Sequence, residues 1–507
     1  MNLHNIKALW LKSVPYINKK WLLVLLSGIS LGLPFWHPWF WWLVVVGLIL
    51  TTRLGFIAGS ARRALLLGAI VGFLHMLMVM VSVWSAYPMD WLLETKASLQ
   101  FLGITLLWIL LALSLGINLG LYTLASYYFK SNKFYYLILP FVLVGSELVG
   151  SWLLSFFMLG PGTYLNAHNS FGYLGYIFTN HTLFGLVAYW GGVYTLSFLV
   201  ASVTMVIIYT LNSWHRLSKQ IKYLSVTVLF FILIIPLFPV SFYKDIERKG
   251  FVIATINTSF PGGVHGNTAN NHPAEHSFAM RGLEIALRAG ADAVIFPEGM
   301  DAFAKFDSED EVFNYLNQFA TSSVVVDSFR YGDDSAEYWH TRSATYMQKD
   351  AYVHYEDKRY LVPVGEAFPY SLHALLTVFG QREVADIMAR RVRYKQATIN
   401  PQRRPTDVPL VTFCSEYTVS NKVSVLSGGH KVPFVAHPIS HSWFVRPTRI
   451  LRYQQSLKLM TASRQSRTPI IQASNMAPPA AYDANGRILS GEVLWAYPGV
   501  LVKLYEI

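Results

Sequence analysis

The chain has 507 residues, 53% of them hydrophobic and 14% charged, with 41 basic and 29 acidic side chains and a net charge of +12. Almost all of that excess precedes Lys244, where 13 basic residues face only Asp90, Glu94 and Glu147, so the nearly neutral second half has no electrostatic footprint for DNA or RNA. A single cysteine, Cys414, excludes an internal disulfide.

From Trp21 to about Tyr243 the chain is a succession of apolar stretches, most of them near the ~20 residues that cross a bilayer as a helix. Seven are predicted: Trp21 to Trp36, Pro38 to Thr52, Ala64 to Trp84, Phe101 to Phe129, Phe134 to Leu159, Thr182 to Leu211 and Tyr223 to Phe242. The first two are short and separated only by His37-Pro38, which fits a close pair or a re-entrant hairpin. Lys and Arg accumulate in alternate connections, from Lys7 to Lys20, Arg53 to Arg63, Lys130 to Lys133 and Arg216 to Lys222, and only Lys96 falls between. Because basic loops stay cytoplasmic, the N-terminus is expected inside and the part after Lys244 outside. No small-residue cleavage site follows the first apolar run, so no cleaved signal peptide is expected. Trp39, Trp41 and Trp42 read as an interfacial aromatic belt.

Residues 244–507 have the composition of a soluble α/β domain, long enough to bury its own core. The predicted elements in order are a strand at FVIATIN, a helix from Ala274 to Arg288, strands at ADAVIFP and SSVVVDSF, and a hairpin of RSATYMQ and YVHYEDKRY turning at Lys349-Asp350. A helix near Glu383 to Arg391 follows, then a strand ending at Cys414, a strand at VPFVAH, a helix from about Pro447 to Arg464, a strand at TPIIQASN and a hairpin at AYDANGRILS. Alternating strands and helices predict a layered sheet with helices outside.

Three polar residues sit where apolar strands end. Cys414 follows VPLVTF, Glu298 follows AVIFP, and Lys358 ends YVHYEDK just before LVPV. A lone cysteine is compatible with a buried spectator, an accessible thiol or a nucleophile, and a Glu or Lys in a loop is ordinarily just a solvated turn residue. Together they form a chemically coherent set, since a carboxylate can take a thiol proton and an ammonium can stabilise a thiolate or an oxyanion.

AGADAVIFPEG around Glu298, YEDKRYLVPVGEAFP around Lys358 and Glu366, and VTFCSE around Cys414 and Glu416 resemble the three catalytic blocks of the nitrilase, or carbon-nitrogen hydrolase, superfamily. LPFWHPW, SELVGSW from Ser146 and WGGVYTLSFLV from Trp190 are similar to the membrane half of the apolipoprotein N-acyltransferase family. The resemblance implies a polytopic α-helical membrane domain, residues 1–243, followed by an extracytoplasmic nitrilase-like αββα sandwich, residues 244–507, in a bacterial inner membrane. It further implies that Glu298 is the general base, Cys414 the nucleophile that carries a thioester, Lys358 the oxyanion stabiliser, and Glu366 and Glu416 supporting residues, with no metal or cofactor. The implied partners are a phospholipid acyl donor and a diacylglyceryl lipoprotein whose N-terminal amine accepts the chain. Three departures stand out: Ser415 where the family has an aromatic residue, HPISHSWF from His437 in place of an Asn-Asp segment, and no apolar span before LVKLYEI. They fit a branch of nitrilase-like membrane proteins that accompanies conjugal transfer systems. Hydrolysis of an amide or nitrile by the same residues, and a catalytically silent membrane scaffold, are the alternative functions.

Two other motifs carry less. GISLG at Gly28 to Gly32 matches G-x-S-x-G but lies inside an apolar span rather than on a strand-to-helix turn. His265, His272 and His276 lack regular spacing around Pro273 and read as a mobile loop, at the place where the family has a substrate-covering arm.

Overall fold

A computed structural model describes residues 19–89, 96–214, 250–260, 273–319, 322–332, 337–397, 405, 407–419, 432–444 and 448–507. The seventh predicted span, His265 and His272 lie outside the described residues. The helical half contains α1 (Lys19–Gly32), α2 (Leu43–Ile57), α3 (Ala61–Val79), α4 (Ala97–Phe129), α5 (Tyr135–Phe157), the short α6 (Thr182–Leu186) and α7 (Ala188–Ser213). Among the described residues four stretches are long and apolar enough to cross a membrane, Ala61–Ala86, Ala97–Phe129, Tyr135–Phe157 and Ala188–Ser213, while α1 and α2 are shorter.

Without a hydrophobic difference between lipid and side chain, such helices associate through close approach of small residues. Gly72 of α3 lies so near Gly116 of α4 that any Cβ there would overlap the facing backbone, and a Cβ on Gly28 would sit 2.6 Å from that of Leu74. GISLG is therefore a packing face of α1 against α3. Trp41 departs from the aromatic belt expected of it: it is buried, edge-on to Phe178 and 4.7 Å from the His181 ring, whereas Trp39 is 80% exposed. The predicted single span from Thr182 is broken into α6 and α7, and Gly191 and Gly192 interrupt the helical dihedrals of α7.

The second half is a four-layered α/β sandwich. Its strands are β1 (Val252–Thr258), β2 (Ala293–Ile295), β3 (Val324–Gly332), β4 (Trp339–Met347), β5 (Tyr352–Asp357), β6 (Leu410–Val411), β7 (Val435–Ser440), β8 (Ile470–Asn475), β9 (Ala480–Tyr482), β10 (Glu492–Tyr497) and β11 (Val500–Glu506). Its helices are α8 (Pro273–Arg288), α9 (Glu309–Leu316), α10 (Tyr370–Val378), α11 (Arg382–Arg391) and α12 (Arg449–Ser466). One sheet runs β5-β4-β3-β2-β1-β11-β10 and the other β6-β7-β8-β9, and they join where β1 meets β8 at Thr258 and Asn475.

Strand alternation sorts the side chains into layers. Ile253, Ala293, Ile295, Val324 and Val326 face Val411, Phe413, Phe434, Ala436 and Ile471 between the sheets. Their neighbours Ala254, Ile256, Val294 and Val325 pack outward with Leu283 of α8 and Leu316 of α9, and Leu410, Val435 and Ile470 pack outward on Leu459 and Met460 of α12. The strand expected to end at Cys414 covers only Leu410–Val411, and the β10–β11 hairpin and helix α10 were not expected.

The sandwich rests on one end of the helical bundle. Gln454 of α12 donates to the Val79 carbonyl at the end of α3, Ser371 donates to Phe157 at the end of α5, and Thr179 meets Thr461 at 2.7 Å. Arg62, Arg63, Lys130 and Lys133 flank the opposite ends of α3, α4 and α5. The basic connections and the sandwich therefore lie at opposite ends of the bundle. A reporter fused after Lys130 is expected to read out in one compartment, and reporters fused after Lys96 or after Ile507 in the other. The same compartment for Lys96 and Lys130 would contradict this arrangement.

Candidate active site

Glu298, Lys358 and Cys414 converge from three different strand ends. Glu298 lies three residues beyond β2, where Phe296 N–H donates to the Val326 carbonyl and Gly299 N–H to Ser328 Oγ, at 2.9 Å each. Gly299 takes φ +73°, a conformation costly for residues with a Cβ, and so turns the chain immediately after the carboxylate. Buried His276 of α8 and Asp327 of β3 hold the following residues, bonding the Ala302 carbonyl at 2.9 Å and the Ala302 N–H at 2.7 Å respectively.

Lys358 follows β5, its backbone N–H bonded to Thr341 at 2.8 Å. Its ammonium is buried, 2.8 Å from Glu298 Oε1 and 2.7 Å from Glu366 Oε1. The other oxygen of Glu366 accepts the Val362 N–H at 2.7 Å, so this carboxylate both closes the loop after Lys358 and holds the ammonium. Two of the three ammonium N–H groups are thus engaged, and among the described residues none takes the third.

Cys414 opens a 3-10 turn, Cys414–Thr418, just past β6, with Sγ 3.7 Å from the Ser440 carbonyl. Glu416 serves the backbone around the site. One of its oxygens accepts the N–H groups of Arg359 and Tyr360, at 2.7 and 3.2 Å, and the other that of Phe413 at 2.7 Å. It clamps the turn that begins at Cys414 to the chain that follows Lys358. Ser415 adds a second clamp by donating to the Tyr360 carbonyl at 2.7 Å.

Burial and the facing Glu298 carboxylate push the Cys414 thiol above its ordinary value, against the opposing pull of Lys358, so the resting sulfur is protonated at neutral pH. Burial also raises Glu298, with Lys358 opposing it and Glu366 adding to it. Burial would lower Lys358, but the Glu298 and Glu366 carboxylates outweigh it and keep the ammonium charged. A carboxylate with a raised proton affinity beside a protonated thiol is matched to proton transfer on attack.

Sequence reasoning picked out all five of these residues, and the structure brings them together. It missed Lys458 of α12, buried with no carboxylate bonded to it among the described residues, its Nζ 4.0 Å from the Phe171 ring centroid and 5.2 Å from that of Tyr417. Burial lowers this lysine to about 7. Nothing in the pattern of α12 distinguishes Lys458 from a solvated helix lysine. It joins the helical half, through Phe171, to the turn that begins at Cys414. The same joint carries Ser170, whose N–H and hydroxyl donate to the Thr418 carbonyl at 3.0 and 2.8 Å, and a bridge between Asn169 and Val419.

No family model and no curated protein matches the chain. Among solved structures it is similar to Saccharomyces cerevisiae Nit3, a member of branch 10 of the nitrilase superfamily, at 12% identity and a TM-score of 0.35, over 52% of this chain and 92% of that one. It is also similar to the C. elegans NitFhit protein, at 10% identity and a TM-score of 0.35, over 51% of this chain and 60% of that one.

Two outcomes follow from the electrostatics. Lys358→Met leaves two buried carboxylates without their shared cation and is expected to destabilise the protein by about 3–5 kcal/mol. The triple variant Glu298→Gln, Lys358→Met, Glu366→Gln removes all three charges and is expected to regain most of that loss in thermal unfolding while staying inactive. Equal melting of Lys358→Met and the unmodified protein would contradict the buried ion cluster. If Glu298 accepts the thiol proton, activity requires its ionised form and is lost as pH falls through its pKa. With that pKa raised, the acid limb of kcat/KM should lie above the ordinary glutamate value of about 4.3, and a profile flat down to pH 4 would rule Glu298 out as the base.

Proposed function

We propose that the protein is a membrane-bound, nitrilase-like acyltransferase that moves a phospholipid acyl chain through a thioester on Cys414 to the N-terminal amine of a diacylglyceryl lipoprotein. The observation that carries the reading is the position of the Glu298, Lys358 and Cys414 cluster, joined through Thr418 and Val419 to a loop of the helical half. A water-soluble amide or nitrile gains nothing from that placement. A lipid-anchored ester and a lipid-anchored amine both need it. The motif resemblance in the catalytic and membrane halves supports the same reading.

In the first step Cys414 Sγ attacks the ester carbonyl, a C–S bond forms, and the thiol proton passes to Glu298. The remaining N–H of Lys358 stabilises the oxyanion. Collapse breaks the ester C–O bond, and the departing alcohol takes the proton back from Glu298. In the second step the acceptor amine attacks the thioester, its nitrogen loses a proton to Glu298, and the C–S bond breaks, returning that proton to sulfur. Glu366 holds Lys358, and Glu416 holds the nucleophile turn. The reading also sets the sandwich on the outer face of a bacterial inner membrane, with seven spans before it.

Transfer and hydrolysis differ in what happens without an acceptor. Incubation with labelled phospholipid should leave the label on the protein until a diacylated cysteinyl peptide is added, and then give labelled amide. Prompt release of free fatty acid, unaffected by the peptide, would replace transfer with hydrolysis. Cys414→Ser should abolish both outcomes while the protein remains folded. Inertness towards every ester, amide and nitrile tested would favour a scaffold.

A further inference from the structure

We infer that α10 and α11 form an amphipathic hairpin that lies in the headgroup region of the bilayer and binds anionic lipid. The hairpin belongs by sequence to the sandwich, inserted between β5 and β6, yet its inner face is part of the core of the helical half. Leu372, Leu376, Ala385 and Met388 share one apolar cluster with the membrane-crossing helices, including Leu107, Leu154 and Met158. Its first turn is tied to the end of α5, where Tyr370 N–H donates to the Leu159 carbonyl at 2.9 Å and Ser371 Oγ to the Phe157 carbonyl at 2.5 Å. A segment held to the terminus of a bilayer-length apolar helix stands at the depth of the lipid headgroups.

The rest of the hairpin has what that depth selects. At its turn Val378 is 82% exposed and Phe379 53%, and Tyr370 at its base is 57% exposed. These side chains continue the apolar surface of the adjoining bundle, where Phe101 of α4 and Phe156 of α5 are also exposed. The second helix then turns basic. Arg382 and Arg390 of α11 and Arg393 and Lys395 just beyond it are exposed, Glu383 is the exposed acid among them, and Asp386 is bonded by His373 at 2.8 Å and lies 3.9 Å from Arg382. Apolar residues at the tip with arginines along the exposed side are the pattern of an interfacial helix. Each basic side chain at a negatively charged surface adds about 1 kcal/mol. The partner is therefore the lipid surface itself, with a preference for anionic headgroups.

The inference is independent of the proposed reaction. The buried Cys414 is the sole cysteine, so Cys414→Ser with Val378→Cys gives one exposed thiol for an environment-sensitive fluorophore. The full-length protein in nanodiscs containing lipids spin-labelled near the headgroup should show at least twofold quenching at position 378. A label at Ala289→Cys, beyond α8 on the outer layer of the sandwich, should show almost none. Adding phosphatidylglycerol to phosphatidylcholine discs should increase quenching at 378, and Arg382→Gln, Arg390→Gln, Arg393→Gln should remove that increase. Absence of quenching at 378 in either lipid would overturn the inference. Disulfide-linked dimers of the unlabelled Val378→Cys variant, without quenching in the labelled one, would assign the face to a second copy instead, and a lipid dependence that survives loss of the arginines would overturn the anionic preference.

Discussion

Lys358 Nζ sits between Glu298 Oε1 and Glu366 Oε1 at 2.8 and 2.7 Å, away from solvent, and the candidate site is arranged around that ammonium. Each partner comes from a different segment: Glu298 from the end of β2, Glu366 from the loop after β5. Burying one cation among two carboxylates is tolerable only when the geometry is good and the leftover oxygens are satisfied. The backbone supplies this, through the Val362 N–H on Glu366 and the fixed strand ends beneath Glu298 and Lys358. Burial raises the proton affinity of Glu298 beside the thiol of Cys414, with the Lys358 ammonium opposing that rise and the Glu366 carboxylate adding to it.

Glu416 extends the same logic from charge to backbone. With N–H groups of Arg359, Tyr360 and Phe413 on its two oxygens, it makes the position of Cys414 depend on the position of Lys358. The helical half enters this network on the far side of the same turn, where Ser170 bonds to Thr418 and Lys458 lies against Phe171 and Tyr417. A displacement of the loop around Ser170 would be felt at the turn that begins with Cys414. Cys414 is therefore coupled mechanically to the helical half of the chain.

Much of this was legible in the sequence, for identifiable reasons. Apolar length revealed the four long spans, and short apolar runs such as AVIF in ADAVIFP and the II of TPIIQASN revealed central strands that are buried throughout. Glu298, Lys358 and Cys414 were conspicuous because a polar group directly after a buried strand needs explaining. What escaped detection depends on contacts between distant segments. The β10–β11 hairpin carries half-buried residues with weak alternation. Helix α10 is short and follows a proline, so it reads as an extension of the VPVGEAFP loop. Trp41 was misread because a tryptophan facing Phe178 and His181 has the same local sequence as one facing lipid. Lys458 was invisible because its burial is decided by Phe171, far away in the chain.

The claim on which the rest depends is that Cys414 becomes covalently acylated with Glu298 as the proton acceptor. Peptide mass spectrometry after incubation with phospholipid tests it most directly. The account predicts a single fatty-acyl mass increment on the peptide containing Cys414, released by neutral hydroxylamine as a thioester should be, and missing from Glu298→Gln. Product formation without any adduct on Cys414, or an undiminished adduct in Glu298→Gln, would contradict it.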